Sequence, residues 1–208
     1  VVGAPGYAGV ELTRLVLGHP DMELVCATSS SEAGRRIDSV YPVLTGLTDL
    51  AYVGPSIEAI SAEATVAFLA VPHTAALEIA PSLLDAGMVV VDASADYRLE
   101  DPLVYEAWYD TPHTSPELLE MADYGLPEMN REAIHNAQVI ACPGCYPSAA
   151  VLAAMPALEA GVTDATRIVV DAKSGVRGAG RVPGEGTHFP SVNESVAPYK
   201  VGVHRHTT

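Results

Sequence analysis

Basic side chains are scarce in this 208-residue chain: 11 lysines and arginines stand against 26 aspartates and glutamates, a formal net charge of −15. Affinity for a nucleic-acid backbone depends on cations that neutralise phosphates, so this balance excludes a general nucleic-acid binder. Long apolar runs are missing as well. None reaches the roughly 18 residues of a membrane-spanning helix, and the N-terminus has neither the basic region nor the apolar stretch of a signal peptide. Cysteine is limited to three, an odd number that builds no disulfide framework and fits a reducing cytoplasm. No repeat and no low-complexity tract interrupts the chain. An initial methionine is lacking before Val1-Val2, and Arg205-His206-Thr207-Thr208 closes without a helix end or polar tail, so a chain truncated at both ends is expected. What is present is apolar: 49% of residues are hydrophobic and only 18% charged. That excludes disorder, and the length suffices to bury about 70% of the unfolded surface.

Apolar runs alternate with helical patterns. Residues 22–28, 65–71, 88–93, 138–142 and 166–172 are expected strands, mostly continuous Val/Ile/Ala runs of the kind covered on both faces of a parallel sheet. Helices are expected over 8–17, 75–86 and 147–160, the last two closed by Gly87 and Gly161 as C′ glycines. This βαβ rhythm predicts an α/β fold, a Rossmann-type doubly wound parallel sheet over residues 1–147. From Lys173 onward glycines break any helix, and a second domain over 148–208 is expected to be only begun when the chain ends.

Gly3-Ala4-Pro5-Gly6-Tyr7-Ala8-Gly9 places three glycines between a strand remnant and a helix. A tight turn of this kind lets amides at a helix N-terminus approach a pyrophosphate, which nominates Gly3, Pro5, Gly6, Tyr7 and Gly9 for a dinucleotide. A plain strand-to-helix turn is the alternative. At the end of the following strand, NAD would favour an acidic residue for the ribose hydroxyl. Here Thr28-Ser29-Ser30-Ser31 stands instead, with Arg35-Arg36 behind it, and hydroxyls and guanidinium groups suit the 2′-phosphate of NADP. His73, after the second expected strand, is read as a nicotinamide-side contact, because cofactors lie at the carboxyl ends of such strands, with a plain loop histidine as the alternative. Arg98, after the next, is free to bind a carboxylate or phosphate, or to pair with Asp96 or Asp101.

The sharpest local feature is Ala141-Cys142-Pro143-Gly144-Cys145-Tyr146-Pro147-Ser148. A strand ends, Pro-Gly turns the chain, and an apolar helix begins. Cys145 then sits where helix N-terminal amides favour a thiolate, the condition of a cysteine nucleophile. A Cys142–Cys145 redox dithiol and two small residues at a turn remain open readings. Zinc is disfavoured, since Cys26 alone supplies no second ligand pair.

These residues carry a family resemblance. The glycine turn, Cys142-Pro-Gly-Cys145-Tyr-Pro-Ser-Ala, Ser174-Gly-Val-Arg-Gly-Ala-Gly-Arg181 and Tyr199-Lys-Val-Gly-Val-His204-Arg-His206 resemble, in order, those of the N-acetyl-γ-glutamyl-phosphate reductases of arginine biosynthesis. One departure is Ser148, where the family usually has threonine; both offer a hydroxyl. The resemblance implies NADPH-dependent reductive dephosphorylation of N-acetylglutamyl 5-phosphate to the semialdehyde through a Cys145 thioester. It implies His204 as acid/base with His206 in reserve, and a second domain of α+β catalytic and dimerisation type in a homo-oligomer, dimer or tetramer. It places the loop of Ser174, Gly175 and Gly178 near the cofactor, with Arg177 and Arg181 for anionic substrate groups. On an extended segment His204 and His206 would face opposite sides, so only one would reach Cys145. Of the other histidines, His113 and His135 are expected at the surface. Rival functions are an aspartyl- or aminoadipyl-phosphate reductase, an NADP-binding redox protein using Cys142 and Cys145, and a binding-only remnant. The charge is uneven: residues 1–171 carry 24 acidic and 6 basic groups, residues 172–208 carry 2 and 5. Basic groups therefore gather where the motifs place anionic ligands.

Overall fold

A computed structural model describes residues 1–207 of the chain, which divides into two compact units, Val1–Cys142 and Pro143–Thr208. In the first, the Val-rich runs form parallel strands β1 (Val66–Leu69), β2 (Val89–Asp92) and β4 (Val139–Ala141), with β3 (Ala122–Tyr124) at the edge, in the order β1-β2-β4-β3. Register pairs Val66 with Val89, Val90 with Val139, and Ala122 with Val139. The β3 segment was not expected to be a strand: it is three residues long, contains Asp123 and has no apolar run.

Beyond β1 the sheet continues through single bridges rather than full strands. Val2 N–H donates to Phe68 O (2.8 Å), Thr28 N–H to Val1 O (2.9 Å) and Val53 N–H to Ala27 O (3.0 Å). Of the expected strand over 22–28, only 26–28 therefore joins the sheet. Met22 and Glu23 lie in solvent, and the apolar run is longer than the ladder it feeds.

Helices α1 (Tyr7–Leu17), α2 (Ile37–Val40), α3 (Ile57–Ser61), α4 (Ala76–Asp85), α5 (Pro102–Tyr109) and α6 (Pro127–Asn136) complete the unit. In α4, Ala76, Leu77, Ala80 and Leu83 recur at helical spacing and are all buried, and Gly87 (φ +80°) ends the turn, as expected. Asp101 caps α5, its carboxylate accepting the Leu103 N–H at 2.8 Å, so it is a helix cap rather than a partner of Arg98. Leu69, Leu83, Val90 and Val139 are fully buried. Each such side chain stabilises the fold by about 1.5–3 kcal/mol.

The second unit opens with α7 (Cys145–Glu159), closed by Gly161 (φ +66°) as expected. Short 3-10 turns and α8 (Phe189–Val192) follow. No described residue beyond Gly144 is buried. The strand expected over 166–172 is absent. Ala165–Arg167 is a 3-10 turn and Val169 is 94% exposed, because a strand requires a neighbour for its amides and no described segment pairs with this one. Among the described residues, no helix is long and apolar enough to cross a membrane.

Candidate active site

The glycine turn is built as a cradle. Gly3 has φ +75°, and a Cβ there would stand 2.5 Å from Ala70 O; one on Gly9 would stand 2.4 Å from Gly3 O. No other residue fits either position. Gly6 is the N-cap of α1 and offers its amides no side chain, which leaves that end of the helix suited to an anion. Tyr41 Oη donates to Pro5 O at 2.6 Å and fixes the turn from outside. Tyr7 opens α1.

Beside this turn, the Ser29 hydroxyl accepts the N–H groups of Ser31 (3.2 Å) and Glu32 (2.9 Å), so it shapes its own loop. Arg35 pairs with Glu32 at 2.5 Å, and Arg36 contacts both Asp38 and Asp49 at 2.8 Å, all at the surface. The Ser/Arg loop is therefore prearranged, with its charge already shared among carboxylates. His73 follows β1 and accepts the Ala95 N–H at Nδ1 (3.1 Å), with its ring edge on Tyr109.

At the ends of β2 and β4 lie Asp92, Arg98 and Cys142. The buried Asp92 carboxylate accepts Ser94 N–H (2.9 Å) and Oγ–H (2.7 Å), yet burial pushes its pKa up to about 6. Arg98 donates to the carbonyls of Ala93 (3.3 Å) and Ser94 instead of pairing with Asp96 or Asp101. Burial, aided by Asp92, pushes the Cys142 thiol up to about 11, so it stays protonated at neutral pH. His113, expected at the surface, is 9% exposed. Its Nε2 lies 2.8 Å from Asp96 O and its Nδ1 accepts the Ser115 N–H, because the loop after α5 folds under Tyr97 and Tyr105.

In the second unit, exposed Cys145 opens α7 itself, two residues earlier than the expected helix start, with Gly144 as N-cap. Its neighbour Tyr146 heads a cluster of four rings. Tyr199 Oη donates to Tyr146 Oη at 2.9 Å; this bond, with burial and the nearby Cys145, holds the Tyr199 phenol at about 12. Tyr146 meets His204 and His206 at ring centroids 5.4 and 5.3 Å apart, and His204 meets Tyr199 at 5.1 Å. The two histidines do not face opposite sides: their rings are 5.0 Å apart, since Arg205–Thr207 is a 3-10 turn rather than an extended segment. His206 N–H donates to His204 Nδ1 (3.2 Å), which leaves Nε2 as the proton-bearing atom of neutral His204. Ser174, Gly175, Arg177, Gly178 and Arg181 lie on an exposed loop around the turn Val176–Ala179.

Tyr41, Tyr105, Tyr146 and Tyr199 went unassigned in the sequence. Tyr146 and Tyr199 were signalled by their places inside the cysteine and histidine motifs; for Tyr41 and Tyr105 only the fold reveals the contact. Among the described residues no three His, Cys, Asp or Glu side chains are grouped to hold a metal ion.

Residues 1–137 match the model of the semialdehyde dehydrogenase NAD binding domain, and residues 145–208 that of the semialdehyde dehydrogenase dimerisation domain. The chain is 47% identical to an N-acetyl-gamma-glutamyl-phosphate reductase of Nitrosococcus oceani, over 99% of its own length and 60% of the relative's. It is 50% identical to that of Pseudomonas syringae over the same shares. The chain thus spans 60% of the length of these curated relatives. Among solved structures, aspartate semialdehyde dehydrogenase with NADP from Candida albicans shares the fold, with TM-score 0.55 and 21% identity over 77% of this chain and 46% of that one.

Proposed function

Because this chain belongs to the semialdehyde dehydrogenase family, we propose that the protein catalyses NADPH-dependent reductive dephosphorylation of N-acetylglutamyl 5-phosphate to N-acetylglutamate 5-semialdehyde. The observation that carries this reading is an exposed Cys145 at the N-terminus of α7, beside a Tyr146–Tyr199–His204–His206 cluster. The resemblance to reductases at 47–50% identity supplies the substrate.

In this mechanism His204 gives up its bond from the His206 N–H to take the thiol proton at Nδ1, and the Cys145 thiolate adds to the acyl carbonyl. The C–S bond forms, the bond from carbon to the phosphate oxygen breaks, and phosphate leaves with the electron pair and the His204 proton. Arg98, Arg177 and Arg181 are assigned to anionic substrate groups, with His206 as a further donor. The Gly3–Gly9 cradle fits a dinucleotide because any Cβ at Gly3 or Gly9 would fill it. Pro5, Gly6, Tyr7, Ser29, Arg35, Arg36 and His73, with Ser174, Gly175 and Gly178, are read as the rest of the cofactor set. Bound NADPH supplies the hydride that brings the thioester carbon to the aldehyde level. Cys145 then leaves as thiolate and the aldehyde departs. Half-buried, protonated Cys142 argues against a redox dithiol. A homo-oligomer in a reducing cytoplasm fits the dimerisation-domain match and the three free cysteines.

The test is NADP⁺ reduction by N-acetylglutamate semialdehyde plus phosphate, beside aspartate semialdehyde, with the complete gene product. Cys145→Ala should lower turnover by about 10³ or more while NADPH binding persists. Activity surviving in that variant, or equal turnover of aspartate semialdehyde, overturns the reading.

A further inference from the structure

Asp96 is fully buried, where an ionised carboxylate is costly unless its lone pairs are met. They are met by one loop and two helices. Oδ1 accepts the Thr74 N–H (2.8 Å) and the Tyr105 hydroxyl (2.8 Å), and Oδ2 accepts the Ala76 N–H (3.0 Å) at the start of α4. Its backbone is held too, N–H by Ser94 Oγ (3.1 Å) and carbonyl by His113 Nε2 (2.8 Å). Burial and the Asp96 carboxylate keep the Tyr105 phenol well above its ordinary range, so it remains a donor.

What this carboxylate grips is strained. Thr74 has φ +75°, a left-handed conformation that is an outlier for a β-branched residue and persists only where its surroundings impose it. Thr74 directly follows His73, whose Nδ1 is already engaged by Ala95 next to Asp96. The loops after β1 and β2 are thus tied to each other twice, at His73 and at Thr74, at the strand ends where dinucleotides bind in open parallel sheets.

We propose that Asp96, braced by Tyr105, is a positioning residue that holds Thr74 in its left-handed conformation and so aims His73 at the nicotinamide end of NADPH. The inference rests on the cofactor reading above, and it is specific to one end of that cofactor. The glycine turn, which receives the pyrophosphate, takes no hydrogen bond from Asp96.

The experiment measures the affinity of the complete gene product for NADPH and for 2′,5′-ADP, which lacks the nicotinamide. Asp96→Asn must turn an amide N–H₂ toward one of the three donors now satisfied. It should weaken NADPH by about tenfold and leave 2′,5′-ADP unchanged, whereas general loosening of the unit would weaken both. Adding Thr74→Gly, which adopts positive φ without strain, should restore most of the NADPH affinity. Tyr105→Phe keeps the stack on Tyr109 (4.8 Å) but removes one donor, and serves if Asp96→Asn does not fold. It should show the same selective loss, smaller in size. Unchanged NADPH affinity in these variants, equal weakening of both ligands, or no rescue by Thr74→Gly overturns the inference. Wild-type protein that binds 2′,5′-ADP and NADPH to no degree overturns the cofactor reading itself, and the inference with it.

Discussion

Valine is used in opposite ways by the two units. In the first, Val90 and Val139 are fully buried between strands and helices; in the second, Val169, Val182, Val196 and Val201 stand in solvent. Composition does not separate these stretches, and both read as apolar in sequence. The difference teaches that an apolar run states a demand for burial without naming what meets it. In the first unit the demand is met by crossovers within the same 142 residues. The second unit matches a dimerisation domain, a class whose interfaces are more apolar than ordinary surface. Chemistry follows the same division: the cradle and the Asp96 clamp belong to the packed unit, Cys145 and its rings to the open one.

The comparison breaks first on stability. Leu69→Ala, at a fully buried site in β1, should lower unfolding free energy by about 2–5 kcal/mol in urea titration. Val169→Ala, 94% exposed, should change it by less than about 0.5 kcal/mol. Equal losses would show that the second unit is packed as the first is.

Somewhat smaller is the effect of Asp92, whose carboxyl is held up to about 6 by burial. The folded state binds this proton more tightly than the unfolded chain does. Its contribution is therefore full below about pH 4 and is lost as pH rises toward 6, by roughly 2–3 kcal/mol. Urea titrations at pH 4 and pH 7 should show Asp92→Asn gaining on the wild type by about that amount. A difference independent of pH would remove the assigned cause.

The first unit was largely legible in sequence because its signals are local. Continuous Val runs marked β1, β2 and β4, while Gly87 marked the end of α4 and Gly3 a turn that only glycine can make. β3 and the 51–53 bridge were not legible, since three residues take strand form only from the neighbour they pair with. In the candidate site, motif order brought out Cys145 and His204. Their ring partners stand inside the same motifs, but the contact itself was not legible because Tyr199 reaches Tyr146 across 53 residues of sequence. His113 was misplaced for the same reason: a histidine in a polar loop reads as exposed until a buried carbonyl claims it.

The finest division concerns the arginines of the two units. Arg36 is exposed, and its guanidinium is held by Asp38 and Asp49, so removing it should not move the unfolding midpoint measurably. What it should change is selectivity: Arg36→Ala is expected to weaken NADPH by about fivefold and leave NADH untouched, because only the 2′-phosphate calls on a guanidinium there. Arg181→Ala, in the open unit, should instead raise the KM for phosphate and spare both nucleotides. Asp49 draws on Arg36 from a carboxylate that is itself almost wholly in solvent. Asp49→Asn should therefore free charge for the 2′-phosphate and tighten NADPH by about twofold. If Arg36→Ala weakens NADPH and NADH alike, the arginine braces its loop through those two aspartates, and discrimination between the nucleotides passes to the hydroxyls of Ser30 and Ser31.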